Sequence, residues 1–243
     1  MAKRNLSLTP RSEAVREQRP VQTPVHFTLD EIKKHFDESM NTVITQYRVA
    51  ESLLECGNID GCKMIWRSQI VLAEGLLDFY LHEISKYCLF CMFVGKWRKS
   101  EKYSSLMLPL SKVEEGLMAH ESSEWFFEYL NNRFSKDVFL SFESMKEQLN
   151  LTGIEFGKVM HKAFAKNNIN ESQKYGKEVV AELFKRRNEI AHQNDRSHAS
   201  AEQNDITREY VEDYISKINL IVDSINTIAE EMNNAHESDS DIN

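Results

Sequence analysis

From residue 29 onward the chain alternates between long stretches with apolar residues three and four apart and short polar breaks, the spacing of helices that bury one face. The cleanest stretch lies near the C-terminus. Val211, Tyr214, Ile215, Ile218, Ile221, Val222, Ile225 and Ile228 form one stripe, which predicts a helix over about 205–232. Upstream, Thr28-Leu-Asp-Glu31 fits a capping box, where hydroxyl and carboxylate satisfy free N–H groups at a helix start, and predicts a helix over about 29–55. The cluster Gly57-Asn-Ile-Asp-Gly61 ends it. A longer helix, rich in Leu, Ile and Phe, follows over 62–94. Shorter helices are predicted over 122–134, 138–149 and 154–166. Another runs over about 171–192 and closes in the turn-forming loop Gln193-Asn-Asp-Arg-Ser-His-Ala-Ser.

The expected architecture is all-α: a bundle of long antiparallel core helices with shorter inserted helices. One domain spans 27–234, with 95–170 as a helical insertion. Residues 1–26, polar and carrying Pro10, Pro20 and Pro24, read as a flexible arm, and 235–243 as an acidic flexible tail. The few turn formers, eight Gly and four Pro in 243 residues, argue against a sandwich, barrel or propeller. The run Tyr87–Val94 falls far short of the ~20 apolar residues that span a bilayer, and no apolar leader opens the chain. Four cysteines without an export signal fit reduced thiols and a cytoplasmic location.

A net charge of −8 disfavours coating nucleic acid by bulk charge. The distribution is uneven: Lys158 to Arg187 holds eight basic and three acidic residues. That stretch fits a small nucleic-acid footprint or a solvated helix face.

Polar residues inside apolar stripes carry the chemical information. On a wheel of 100° per residue with Val180 at zero, Arg187 falls at about 340°, inside the apolar arc, and Asn188 and His192 at about 80° and 120°, at its margin. Arg186, Lys185 and Glu189 point away. A guanidinium stays charged, so its burial demands a facing carboxylate or an opening onto a cleft. On the long helix, Arg67, Glu74, Asp78 and Ser85 line a strip of about 40° between apolar flanks, making Glu74 and Asp78 candidates to face Arg187. A plain buried ion pair and a surface strip remain alternatives. Cys88-Leu-Phe-Cys91 has CxxC spacing inside an apolar helix, which favours core packing over a metal site. Trp66, Trp97 and Trp125 read as core anchors. His26, His35, His120, His161 and His236 have no evident partners. No phosphate-binding Gly loop, HExxH or G-x-S-x-G occurs.

The sequence Lys185-Arg-Arg-Asn-Glu-Ile-Ala-His192, an R-N-x3-H arrangement near the end of a helix, resembles the RiboL-PSP-HEPN branch of the HEPN superfamily. The segment Trp66-Arg67 through Glu74, Asp78 and His82 is similar to the long second helix of that branch. The resemblance covers about 40–234. It implies a dimerising helical bundle, often a metal-independent endoribonuclease, with Arg187 and His192 as catalytic pair and Asn188 as polar supporter. Glu74, Asp78 and Arg67 would support them, and Lys177, Lys185 and Arg186 would contact RNA. No cofactor is expected, and no membrane. The partners implied are an RNA substrate, a second copy of the chain and an inhibitory protein, since many members are toxins or phage-defence effectors. A non-catalytic protein- or nucleotide-binding module, with Arg187 and His192 in a structural network, is the competing reading.

Overall fold

The computed structural model describes residues 25–119, 122–197 and 201–240. Most of the expected N-terminal arm, the end of the acidic tail and His120 lie outside the described residues. The described residues form nine α-helices: α1 (Leu29–Thr45), α2 (Tyr47–Glu55), α3 (Ile59–Phe93), α4 (Leu110–Met118), α5 (Glu124–Phe134), α6 (Phe142–Leu151), α7 (Phe156–Phe164), α8 (Ile169–Gln193) and α9 (Arg208–Ser240), with a 3₁₀ turn at Tyr103–Ser105. Among the described residues there is no strand, only an isolated bridge between Arg196 and Gln203. No helix in them is long and apolar enough to cross a membrane.

The capping box at Thr28 forms: Glu31 N–H donates to the Thr28 hydroxyl and Thr28 N–H to the Glu31 carboxylate. The expected single helix over 29–55 breaks at Gln46. Thr42 and Thr45 in the β-branched run before it donate their hydroxyls to the carbonyls of Glu38 and Thr42, which loosens the regular backbone ladder there. Helix α4 was not expected: it is only nine residues long and none of them is buried, although Leu110, Val113 and Leu117 stand at helical spacing. Helix α9 continues to Ser240, through most of the stretch expected as a tail. Beyond the apolar stripe, Asn233 fastens it by accepting from Trp97 Nε1 at 3.2 Å and the Tyr87 hydroxyl at 3.4 Å.

Pairs between helices fix the direction of the bundle. Glu74, Tyr80 and Tyr87 on α3 meet Tyr214, Asn226 and Asn233 on α9 in the same order, so these two long helices run parallel. Helix α1 opposes α3, with Val43 against Gln69 and Phe36 against Tyr80. Helix α8 opposes α9, with Arg186 against Tyr210 and Glu182 against Lys217. In chain order α1, α3, α8 and α9 therefore alternate in direction, the expected antiparallel arrangement of long core helices, in which α3 and α9 share a course and the inserted helices bridge α3 to α8.

One continuous core runs from Leu29 to Ala229. Cys88 and Cys91 are packed within it, and so is Trp97. Trp125 meets Phe93 edge-on. His26, without a partner in the sequence reading, stacks on Phe127 with ring centroids 3.7 Å apart and bonds Glu124. His161 pairs with Ser172 at 2.9 Å. At the α7–α8 crossing the helices come so close that a Cβ on Gly176 would stand 2.3 Å from Cγ of Met160.

Candidate functional site

Three elements build the site: the middle of α3, the C-terminal turns of α8 and the first turns of α9. Arg187 sits on α8 toward α3 and is half-buried. Its Nη1 donates to Oδ1 of Asn188 at 3.0 Å, while its buried Nε has no hydrogen-bond partner. Among the described residues no carboxylate forms an ion pair with it. The apolar arc of α8 thus carries a guanidinium that α3 does not neutralise by direct contact.

Glu74, whose carboxyl feels the charge of Arg187, is 1% exposed. Burial is the largest influence on it and raises its pKa to about 7; the Tyr214 hydrogen bond and the charge of Arg187 pull the other way, and Asp78 adds to the rise. The Tyr214 hydroxyl stands 3.1 Å from Glu74 Oε2 and 2.8 Å from the Leu183 carbonyl. A phenol has one proton to donate. With Glu74 protonated, both contacts are satisfied: Tyr214 donates to Leu183 and Glu74 donates to Tyr214. Burial, then the Glu74 carboxylate, drive the Tyr214 phenol far above its ordinary value.

The rest of the polar strip on α3 does not face Arg187. Asp78 Oδ1 accepts the Phe139 N–H at 2.8 Å and lies 3.9 Å from His82 Nε2, so it holds the loop before α6. Ser85 donates to the Leu81 carbonyl. Arg67 turns toward the loop just beyond the C-terminus of α8, where its Nε donates to Asp195 Oδ2 at 2.7 Å and its Nη2 to the Asn204 carbonyl at 2.7 Å. The strip is not a single lining: Arg67, Glu74 and Asp78 meet different neighbours as successive turns of α3 pass them, and Ser85 turns back on α3 itself.

Arg186 corrects a second expectation. It does not point away to meet RNA but pairs through both Nη atoms with Asp195 and also bonds the Asp205 carbonyl. At about 240° on the wheel its stem borders the apolar arc, and a long side chain lays that stem along the helix while its head reaches the loop. Lys177 and Lys185 are exposed; Lys185 Nζ lies 3.8 Å from Glu189, and Lys177 Nζ is 4.8 Å from the Phe142 ring centre. His192, in the last turn of α8, is exposed.

Asp195, Asn204 and Tyr214 were not legible in advance. Asp195 reads as a turn former and Tyr214 as one more member of an apolar stripe, and nothing in the sequence singles out Asn204. Nothing local marks an aspartate whose partner is 128 positions away.

Comparison with known proteins adds one match. A family model described as RiboL-PSP-HEPN covers residues 29–231. No curated protein and no solved structure matches the chain.

Proposed function

This chain belongs to the RiboL-PSP-HEPN family, and we propose that it is a metal-independent endoribonuclease working at a cleft shared by two protomers. The observation that carries the reading is Arg187: a guanidinium set in an apolar face, bonded to Asn188, with a buried Nε left unpaired.

RNA brings its own nucleophile. An imidazole such as that of His192 removes the 2′-hydroxyl proton, the 2′-oxygen bonds to phosphorus, and the bond to the 5′-oxygen breaks as a second imidazole returns a proton to it. The products are a 2′,3′-cyclic phosphate and a 5′-hydroxyl. The planar fork of Arg187 suits the charge that gathers on the phosphorane oxygens. Within one helix the two residues stand about 140° and ~7.5 Å apart, and here one is half-buried while the other is exposed. A two-fold pair supplies two of each group around one phosphate. Lys177 and Lys185 lie on the basic stretch that would draw RNA toward it. In this reading the enzyme acts in the cytoplasm as a toxin or phage-defence effector and is held silent by an inhibitory protein.

The test is a labelled RNA incubated with the full chain in EDTA. Cleavage by wild type, reduced at least ~100-fold in His192→Ala with folding and dimer intact, is the expected result. Undiminished cleavage by His192→Ala overturns the assignment. Intact RNA with wild type returns Arg187 and His192 to a structural role beside Glu74 and Tyr214.

A further inference from the structure

Three residues beyond His192 lies a side chain that accepts four hydrogen bonds, and it belongs to neither helix it joins. Asp195 is 0% exposed and sits in the left-handed region at φ 58°, a conformation that Asp tolerates better than most side chains. Its Oδ2 accepts from Arg67 Nε at 2.7 Å and Arg186 Nη2 at 2.9 Å; its Oδ1 accepts from Arg186 Nη1 and from Asn204 Nδ2 at 3.1 Å. The backbone is held equally well. Asp195 N–H donates to the Glu189 carbonyl at 2.9 Å, and the Asp195 carbonyl accepts the Asn204 N–H at 2.8 Å.

We propose that Asp195 is a positioning residue for His192, locking the end of α8 to α3 and so setting where the imidazole stands. His192 lies in the short segment whose two ends, Glu189 and Asp195, are joined by that backbone bond. Its backbone, the point from which the ring projects, cannot shift unless the closing turn shifts, and the turn cannot shift while two guanidiniums from α3 and α8 grip the same carboxylate. The grip also orders the neighbouring position. Successive helical residues diverge by about 100°, so drawing Arg186 toward Asp195 leaves Arg187 directed at α3 and Glu74. A single buried carboxylate thereby sets both members of the pair. A carboxylate is required because only a negative charge offsets two desolvated cations; an amide would leave both uncompensated.

The inference rests on the ribonuclease reading, and its test separates the two. Asp195→Glu keeps the charge and adds one methylene, pushing the turn outward while both arginines retain a partner. The full-length variant is compared with wild type for RNA cleavage, melting temperature and the imidazole NMR resonance of His192, identified by its loss in His192→Gln. The expected result is a folded protein whose kcat falls ~10–100-fold, as for a catalytic group displaced by about 1 Å. KM stays within about twofold, and the His192 resonance moves while other histidine resonances do not. A folded variant with wild-type kcat overturns the proposal, and so does a fall in kcat with the His192 resonance unmoved. Should Asp195→Glu fail to fold, Asn204→Ala removes one of the four bonds and must show the same paired changes, several-fold in kcat; their absence overturns it equally. If wild type leaves RNA whole, the ribonuclease reading fails, and the resonance alone decides whether Asp195 sets the imidazole.

Discussion

The phenol oxygen of Tyr214 stands 3.1 Å from Oε2 of Glu74, tying α9 to α3 through a carboxyl that burial has brought to titrate near neutrality. Its neighbourhood holds Arg187 and Asp78 as the charged groups that influence it. A buried acid of this kind makes the folded state prefer a proton that the unfolded chain gives up.

The sign of the resulting pH dependence follows. Unfolded, the Glu74 carboxyl keeps its ordinary value of 4.5; folded, it is raised to about 7. Between these values the folded state binds the extra proton, so this contribution is fully present below about pH 4.5 and is lost as pH rises through 7, by about 3 kcal/mol. Glu74→Gln removes the titration. Urea unfolding at pH 5 and pH 8 is expected to show that the variant loses less stability than wild type over that interval.

Arg187→Lys keeps the charge but not the fork. Cleavage of RNA is expected to fall at least ~10-fold, since a point charge cannot hold two phosphorane oxygens in one plane. The melting temperature should stay close to wild type, because Arg187 makes no ion pair that holds helices together. Equal activity in the lysine variant would show that charge alone suffices.

Asp78→Ala separates the two acidic candidates on α3. Its carboxylate caps the Phe139 N–H, and loss of that bond should cost ~1–2 kcal/mol in urea unfolding. RNA cleavage should remain within about twofold of wild type. A large loss of cleavage without loss of stability would place Asp78 in the site after all.

At the crossing of α7 and α8, Gly176→Ala would set a methyl 2.3 Å from both Cγ and Sδ of Met160 and 2.8 Å from its Cβ. Rotating the sulfur end away cannot move Cβ, so α7 itself must retreat. Overpacking of this kind costs about 1–3 kcal/mol, against which the better helix propensity of Ala returns up to ~1 kcal/mol. A lowered urea midpoint is the expected readout.

Much of the fold was legible because helices are written locally. The capping box at Thr28 needed only four consecutive residues, and the stripe from Val211 to Ile228 only their spacing. Where the local signal was silent, the reading failed for the same reason. Helix α4 spaces Leu110, Val113 and Leu117 three and four apart over only nine residues, too short a stretch to stand out, and the break at Gln46 depends on threonine hydroxyls turning back on the backbone.

The chain by itself determined that there would be long amphipathic helices, that Arg187 would fall within the apolar arc of its helix, and that Asn188 and His192 would project together at one margin of that arc, since all of this follows from 100° per residue. Only the tertiary structure decided which polar groups meet. Glu74 found Tyr214 across 140 positions and Arg67 found Asp195 across 128, while Arg186, assigned to solvent by its angle, was turned to the same carboxylate. Periodicity fixes the face a side chain occupies, but its partner depends on which helix packs there, and in this bundle the parallel course of α3 and α9 made that choice.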